Sequence, residues 1–198
     1  QWREYNAELC PLNYSGYPHW RYYRDYAGGG LSDFGAHHFD IAQWALNMDN
    51  SGPVEVLYPD GKNVELMTFI YANGVPMYHK PGAEADCVFR GTKGTVYVSR
   101  GFIRTDPQSL LAIKWGPNDL QLDRGRDHRE DWIHCIKTHQ KPIADVEIGH
   151  RTNSVCQLAN IGYVVKRDLK WDPVQEQFIG DAEANAMLSR ANRSPWHL

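Results

Sequence analysis

Between residues 54 and 115 the chain passes through five short segments rich in β-branched and aromatic residues, 54–58, 64–71, 86–90, 94–99 and 111–115. The stretches that separate several of them carry turn chemistry. Pro59-Asp60-Gly61-Lys62, Asn73-Gly74 and Gly91-Thr92-Lys93-Gly94 read as hairpin connections, because Gly and Asn reach the positive φ that tight turns need. Helical periodicity occurs only before and after this block. Leu31, Phe34, His38, Ile41 and Ala45 recur at helical spacing and predict a helix from Leu31 to near Asn47, broken by Asp49-Asn50-Ser51-Gly52-Pro53. Asp127, ahead of His128-Arg129-Glu130, reads as an N-cap with Glu at the third helical position, opening a helix through Trp132, Ile133, Ile136 and Lys137. Val155, Leu158, Ile161 and Val165 then mark a long helix over 147–167, and a last helix is expected over 181–190. Strands bracketed by helices, without the βαβ alternation of a parallel sheet, predict an α+β fold: a single open, largely antiparallel mixed sheet with helices on one face.

The 198 residues suffice for one substantial core, and no linker divides them, so one domain is expected over 1–198. Residues 1–27, interrupted by Pro11, Gly16 and Pro18, read as an irregular arm rich in Trp and Tyr, side chains that stack on sugar rings as readily as they fill cores. A formal charge of -3 argues against nucleic acid as a partner. The one basic cluster, Arg124, Arg126, His128 and Arg129, is interleaved with Asp123, Asp127, Glu130 and Asp131. No apolar run reaches bilayer length, and QWREYNAELC lacks the regions of a signal peptide, so a soluble chain with no membrane contact is expected. Cys10, Cys87, Cys135 and Cys156 stand far apart without a CxxC pair and read as buried thiols.

Chemistry concentrates between Gly28 and Asp40, in GGGLSDFGAHHFD. No GxGxxG comes after a strand and no GxxxxGK[ST] occurs; the residues before the glycines, Arg24-Asp25-Tyr26-Ala27, do not form an apolar strand. No dinucleotide cradle is therefore expected in this chain. Asp33 and His37 lie four apart, a spacing at which a helical carboxylate can hold one imidazole nitrogen and leave the other free to exchange a proton. Three interpretations stand side by side: an oriented general base, a helix start with dipole-favoured acids and packed histidines, or a metal site including His38 and Asp40. The last is disfavoured, because consecutive helical residues point roughly a hundred degrees apart.

GGGLSDFGAHHFDIAQWAL resembles the start of the second domain of the Gfo/Idh/MocA oxidoreductases, with glycines, D-x-G-x-H-x-x-D and an apolar helix. VEVLYPDG, FRGTKGTVYVS, DWIHCIKTHQKPIADVEIGHRT and LKWDPVQEQFIGDAEANAMLSRANRSPW are similar, in order, to the bacterial sugar-active branch. The resemblance implies the C-terminal substrate and oligomerisation domain of a nicotinamide-dependent sugar or polyol dehydrogenase. NAD or NADP would be held mainly by an N-terminal Rossmann domain that these residues do not include, and the chain alone would be inactive. His37 matches the family's catalytic histidine, taking the hydroxyl proton as hydride passes to the nicotinamide, and Asp33 matches its orienting carboxylate. Trp20 and Arg21, with Tyr14 and His128, are the expected substrate-binding residues; no cofactor-binding residue and no metal ligand is assigned. A homo-oligomer through the sheet face is expected, in a bacterial parent protein of cytoplasm or periplasm. An NAD-dependent glycosidase of the same superfamily and a non-catalytic carbohydrate-binding or assembly domain remain as alternatives.

Overall fold

The structure is a computed structural model that describes residues 4–11, 19–119, 125, 127–192 and 194–195. In chain order its elements are a 3-10 turn at His19–Tyr22, α1 (Gly29–Ser32), α2 (Phe34–Ala45), β1 (Pro53–Leu57), β2 (Met67–Tyr71), β3 (Pro76–His79), β4 (Cys87–Gly91), β5 (Gly94–Ser99), β6 (Phe102–Asp106), a 3-10 turn at Gln108–Ala112, α3 (His128–Thr138), α4 (Val146–Val165), β7 (Leu169–Asp172), β8 (Gln177–Phe178) and α5 (Ala182–Ala186). They form two compact units, Gln1–Lys80 with Arg151–Leu198, and Pro81–His150.

The first unit is built on an antiparallel sheet of order β3-β2-β1-β7-β8. Strand alternation sends Val56, Phe69 and Leu169 to one face, where they join Phe39 of α2 and Val155, Leu158 and Ala159 of α4 in a single core. Phe39 meets Phe69 edge-on at 5.5 Å, and Trp171 meets Phe178 at 4.9 Å. At Gly162 a Cβ would lie 3.3 Å from the Met67 methyl, so this glycine lets α4 lie close on β2. The other face pairs Glu55 with Ile70 and Lys170, and Thr68 with Tyr78.

The second unit holds the three-stranded antiparallel sheet β4-β5-β6. Gly94 (φ +143°) passes so near β6 that a Cβ would sit 2.3 Å from the Asp106 carbonyl oxygen, which reserves this turn position for glycine. Asp127 caps α3, accepting the Arg129 N–H at 3.0 Å, and Asp131 accepts the Ile143 N–H at 3.0 Å.

The α+β class, the antiparallel pairing and the helices on one face of the main sheet agree with the sequence; the strands are divided between two sheets rather than gathered in one. The expected strand at 111–115 is a 3-10 turn and extended chain, because Pro107 redirects the backbone after β6. Four strands escaped the sequence pattern. In β6 the Arg-Gly turn at 100–101 is a weak hairpin signal, and Arg104 and Asp106 dilute the strand's apolar face. The strands β7 and β8 lie between the helices expected over 147–167 and 181–190: Lys166 (φ +55°) stops α4, and the alternation of Leu169 and Trp171 begins at once. The fourth, β3, is a short edge strand opening on Pro76.

Candidate active site

The expected single helix over 31–47 is broken at its second turn. Asp33 has φ −97° and ψ −93°, its N–H closes α1 onto the Gly29 carbonyl at 3.1 Å, and it stands ahead of α2 without capping it through its side chain. The i, i+4 geometry that would hang His37 on Asp33 is therefore not formed. The Asp33 carboxylate instead accepts the Arg21 Nε–H at 3.2 Å, and the Arg21 guanidinium lies over the Trp20 ring, 5.2 Å from its centre. Trp20, Arg21 and Asp33 thus form one stacked and ion-paired group at the start of α2.

His37 projects one turn further along α2. Its ring is exposed, edge-on to Phe34 at 6.2 Å, and among the described residues it makes no hydrogen bond. His38 is half-buried, and Phe39 beside it is in the core. Asp40 accepts the Thr152 hydroxyl at 3.0 Å, which ties α2 to α4. Burial, and after it the charge of Asp40, push the Asp49 carboxyl above the usual carboxylate range.

Further contacts fix α1 and the far end of α2, the helix that carries His37. The Asn160 amide donates to the Gly28 carbonyl and the Ser32 hydroxyl, both at 3.1 Å, and Gln157 donates to Ser32 at 3.2 Å. At the other end Gln43, only 1 % exposed, donates to the carbonyls of Met48 and Ser51 and accepts the Tyr71 hydroxyl. The sequence holds no hint of Gln43, which reads as one more polar helix residue; only the fold turns it inward.

His128 is the first residue of α3 in the second unit, exposed, with Nδ1 4.0 Å from the Asp127 carboxylate. Tyr14 lies outside the described residues.

The glycines do not fit a dinucleotide. No strand leads into them, α1 is a single turn, and a Cβ on Gly28 would fall 2.1 Å from the Ser32 Oγ and 2.8 Å from the Asn160 amide nitrogen. Gly28 is a packing position against α4. Among the described residues no group of three or more His, Cys, Asp or Glu side chains is gathered to hold a metal ion, and no helix is long and apolar enough to cross a membrane.

Residues 3–198 match the Gfo/Idh/MocA family described as "Oxidoreductase family, C-terminal alpha/beta domain". No curated protein matches the chain.

Proposed function

Because this chain belongs to the Gfo/Idh/MocA oxidoreductases through their C-terminal alpha/beta domain, we propose that it is the substrate-holding half of an NAD(P)-dependent sugar or polyol dehydrogenase. His37 is the base that takes the proton from the substrate hydroxyl. The observation that carries this is the condition of His37: an exposed imidazole with no hydrogen-bond partner among the described residues, on a helix tied down by Thr152 and Gln43. A general base needs an uncommitted lone pair on a group whose position is set by its surroundings. Trp20 offers an aromatic face for a sugar ring, and Arg21 offers guanidinium donors to hydroxyls. Asp33 acts at one remove, fixing Arg21 and supplying a negative charge at the start of α2. The hydride acceptor, NAD or NADP, is held by residues outside this chain, which leaves these residues the proton.

The deciding assay uses the protein joined to its cofactor-binding part. Reduction of NAD or NADP with oxidation of a sugar or polyol is the expected result. Cleavage of an aryl glycoside without net cofactor reduction would assign a glycosidase instead, and no turnover on either substrate class would reduce the domain to binding or assembly.

The 198-residue chain by itself is expected to bind no NADH, because the pyrophosphate supplies much of dinucleotide recognition and none of the described glycines cradles it. Calorimetry showing micromolar affinity would refute this.

The chain also self-associates, with the outward face of the main sheet as the contact. On the core side of β2 Met67 and Phe69 are buried; on the outward side Thr68 is 6 % exposed and Ile70 is only half-buried. Ile70 and Tyr78 extend that outward side as apolar surface. Light scattering at micromolar concentration should report a dimer or larger, and Ile70→Lys with Tyr78→Lys should reduce it to a monomer. A monomeric unsubstituted chain would sink the idea.

A further inference from the structure

Beside α1 the first unit carries a cleft of about 430 Å³, within the size range of small-ligand sites. Its walls come from three stretches that are distant in sequence: the turn holding Tyr22 and Arg24, the side of α4 holding Gln157 and Asn160, and the segment after α5 ending in Arg190. Two guanidinium groups border this space and, among the described residues, no aspartate or glutamate does. The other described arginines of the unit are paired: Arg21 with Asp33, Arg151 with Glu176, and Arg167 with Asp181 and Glu183. Arg24 and Arg190 have no such partner among the described residues.

The amides complete the chemistry. Asn160 and Gln157 spend their N–H groups on Gly28 and Ser32, and Gln157 also on Asn153, so among the described residues each side-chain oxygen is left as an acceptor without a donor. Such oxygens suit hydroxyl groups. Tyr22, 69 % exposed, adds an aromatic ring to the wall.

The geometry points to a binding site for a hexose-sized polyhydroxylated anion, its carboxylate or phosphate held by Arg24 and Arg190 and its hydroxyls donating to Gln157 and Asn160. A neutral sugar would leave both cations uncompensated, whereas an acid group meets two planar donors with no competing carboxylate. His37 is not in the wall of this cleft, so the site stands apart from the role proposed for that residue.

The test is calorimetric titration of the 198-residue chain with galacturonate, glucose 6-phosphate and glucose. At least one of the two anions should bind saturably and glucose should not. Arg24→Gln and Arg190→Gln should each weaken binding about tenfold, the scale of one charge-assisted contact. Lys170→Gln, an exposed cation on β7, should leave it unchanged. Galacturonate alone would identify a carboxylate ligand, glucose 6-phosphate alone a phosphoryl ligand, and both a site for either. Both arginines are exposed, so circular dichroism should show folded variants. Absence of saturable binding by either anion, binding that survives both arginine substitutions, or equal weakening by Lys170→Gln would overturn the site.

Discussion

In the protein joined to its cofactor-binding part, His37→Ala should lower turnover by roughly a hundredfold to ten-thousandfold, the usual worth of a positioned general base, while substrate affinity changes much less. In the proposed role the imidazole accepts a proton in the transition state; it is exposed and, among the described residues, makes no hydrogen bond, so removing it should cost little in the ground state. Asp33→Asn should also slow turnover, because Arg21 loses its anionic partner and the start of α2 loses a charge. His38→Ala, on the half-buried side of α2, should act on stability instead. A metal site would show stoichiometric metal and loss of activity to chelators. A folded, fully active His37→Ala would end the proposal.

Gln43→Leu should destabilise the first unit by about 2–4 kcal/mol, the cost of leaving several buried polar groups without partners. One side chain serves three groups: it donates to the Met48 carbonyl at 3.1 Å and the Ser51 carbonyl at 3.2 Å, and it accepts from the Tyr71 hydroxyl. Burial pushes the Tyr71 hydroxyl's pKa up, so it stays a donor and stays in need of an acceptor. Adding Tyr71→Phe to Gln43→Leu should therefore recover part of the loss, since the stranded hydroxyl goes with it. Chemical denaturation of the two variants measures both effects, and an unchanged midpoint for Gln43→Leu would show that water satisfies these groups.

The long helix α4 was legible because Val155, Leu158, Ile161 and Val165 repeat without interruption, and α3 because Asp127 announces it. The hairpin β4-β5 was legible from Gly91-Thr92-Lys93-Gly94. What escaped has physical causes. Short strands such as β7 and β8 give a period-2 pattern too few repeats to register, and their place beside β1 is a long-range fact. The break at Asp33 escaped because apolar spacing continues across it: Leu31 and Phe34 keep helical intervals although they belong to different helices. The expected Asp33–His37 hydrogen bond depended on that continuity, and the Arg21–Asp33 pair that replaces it joins residues twelve positions apart. Trp20 and Arg21 were singled out through the resemblance, whereas the contact of Arg21 with Asp33 came from the fold.

The first unit is assembled from both ends of the chain, and this sets an order of events during synthesis. The pairing of β1 with β7 and the bond from the Tyr58 N–H to Asp168 close a loop of 110 residues. Hairpins β4-β5 and β5-β6 close only a few. Loop-closure entropy rises by about 0.6 kcal/mol with each doubling of length, and long-range pairings are the slow ones. As the chain leaves the ribosome, Pro81–His150 is complete and able to close its sheet while α2 still lacks Thr152 and α1 still lacks Gln157 and Asn160. The helix that carries His37 is thus among the last parts to be locked, and until α4 arrives Phe39, Val56 and Phe69 remain an open apolar surface. A nascent chain halted before Arg151 would expose that surface, and its handling by chaperones would depend on the stretch of sequence still to come.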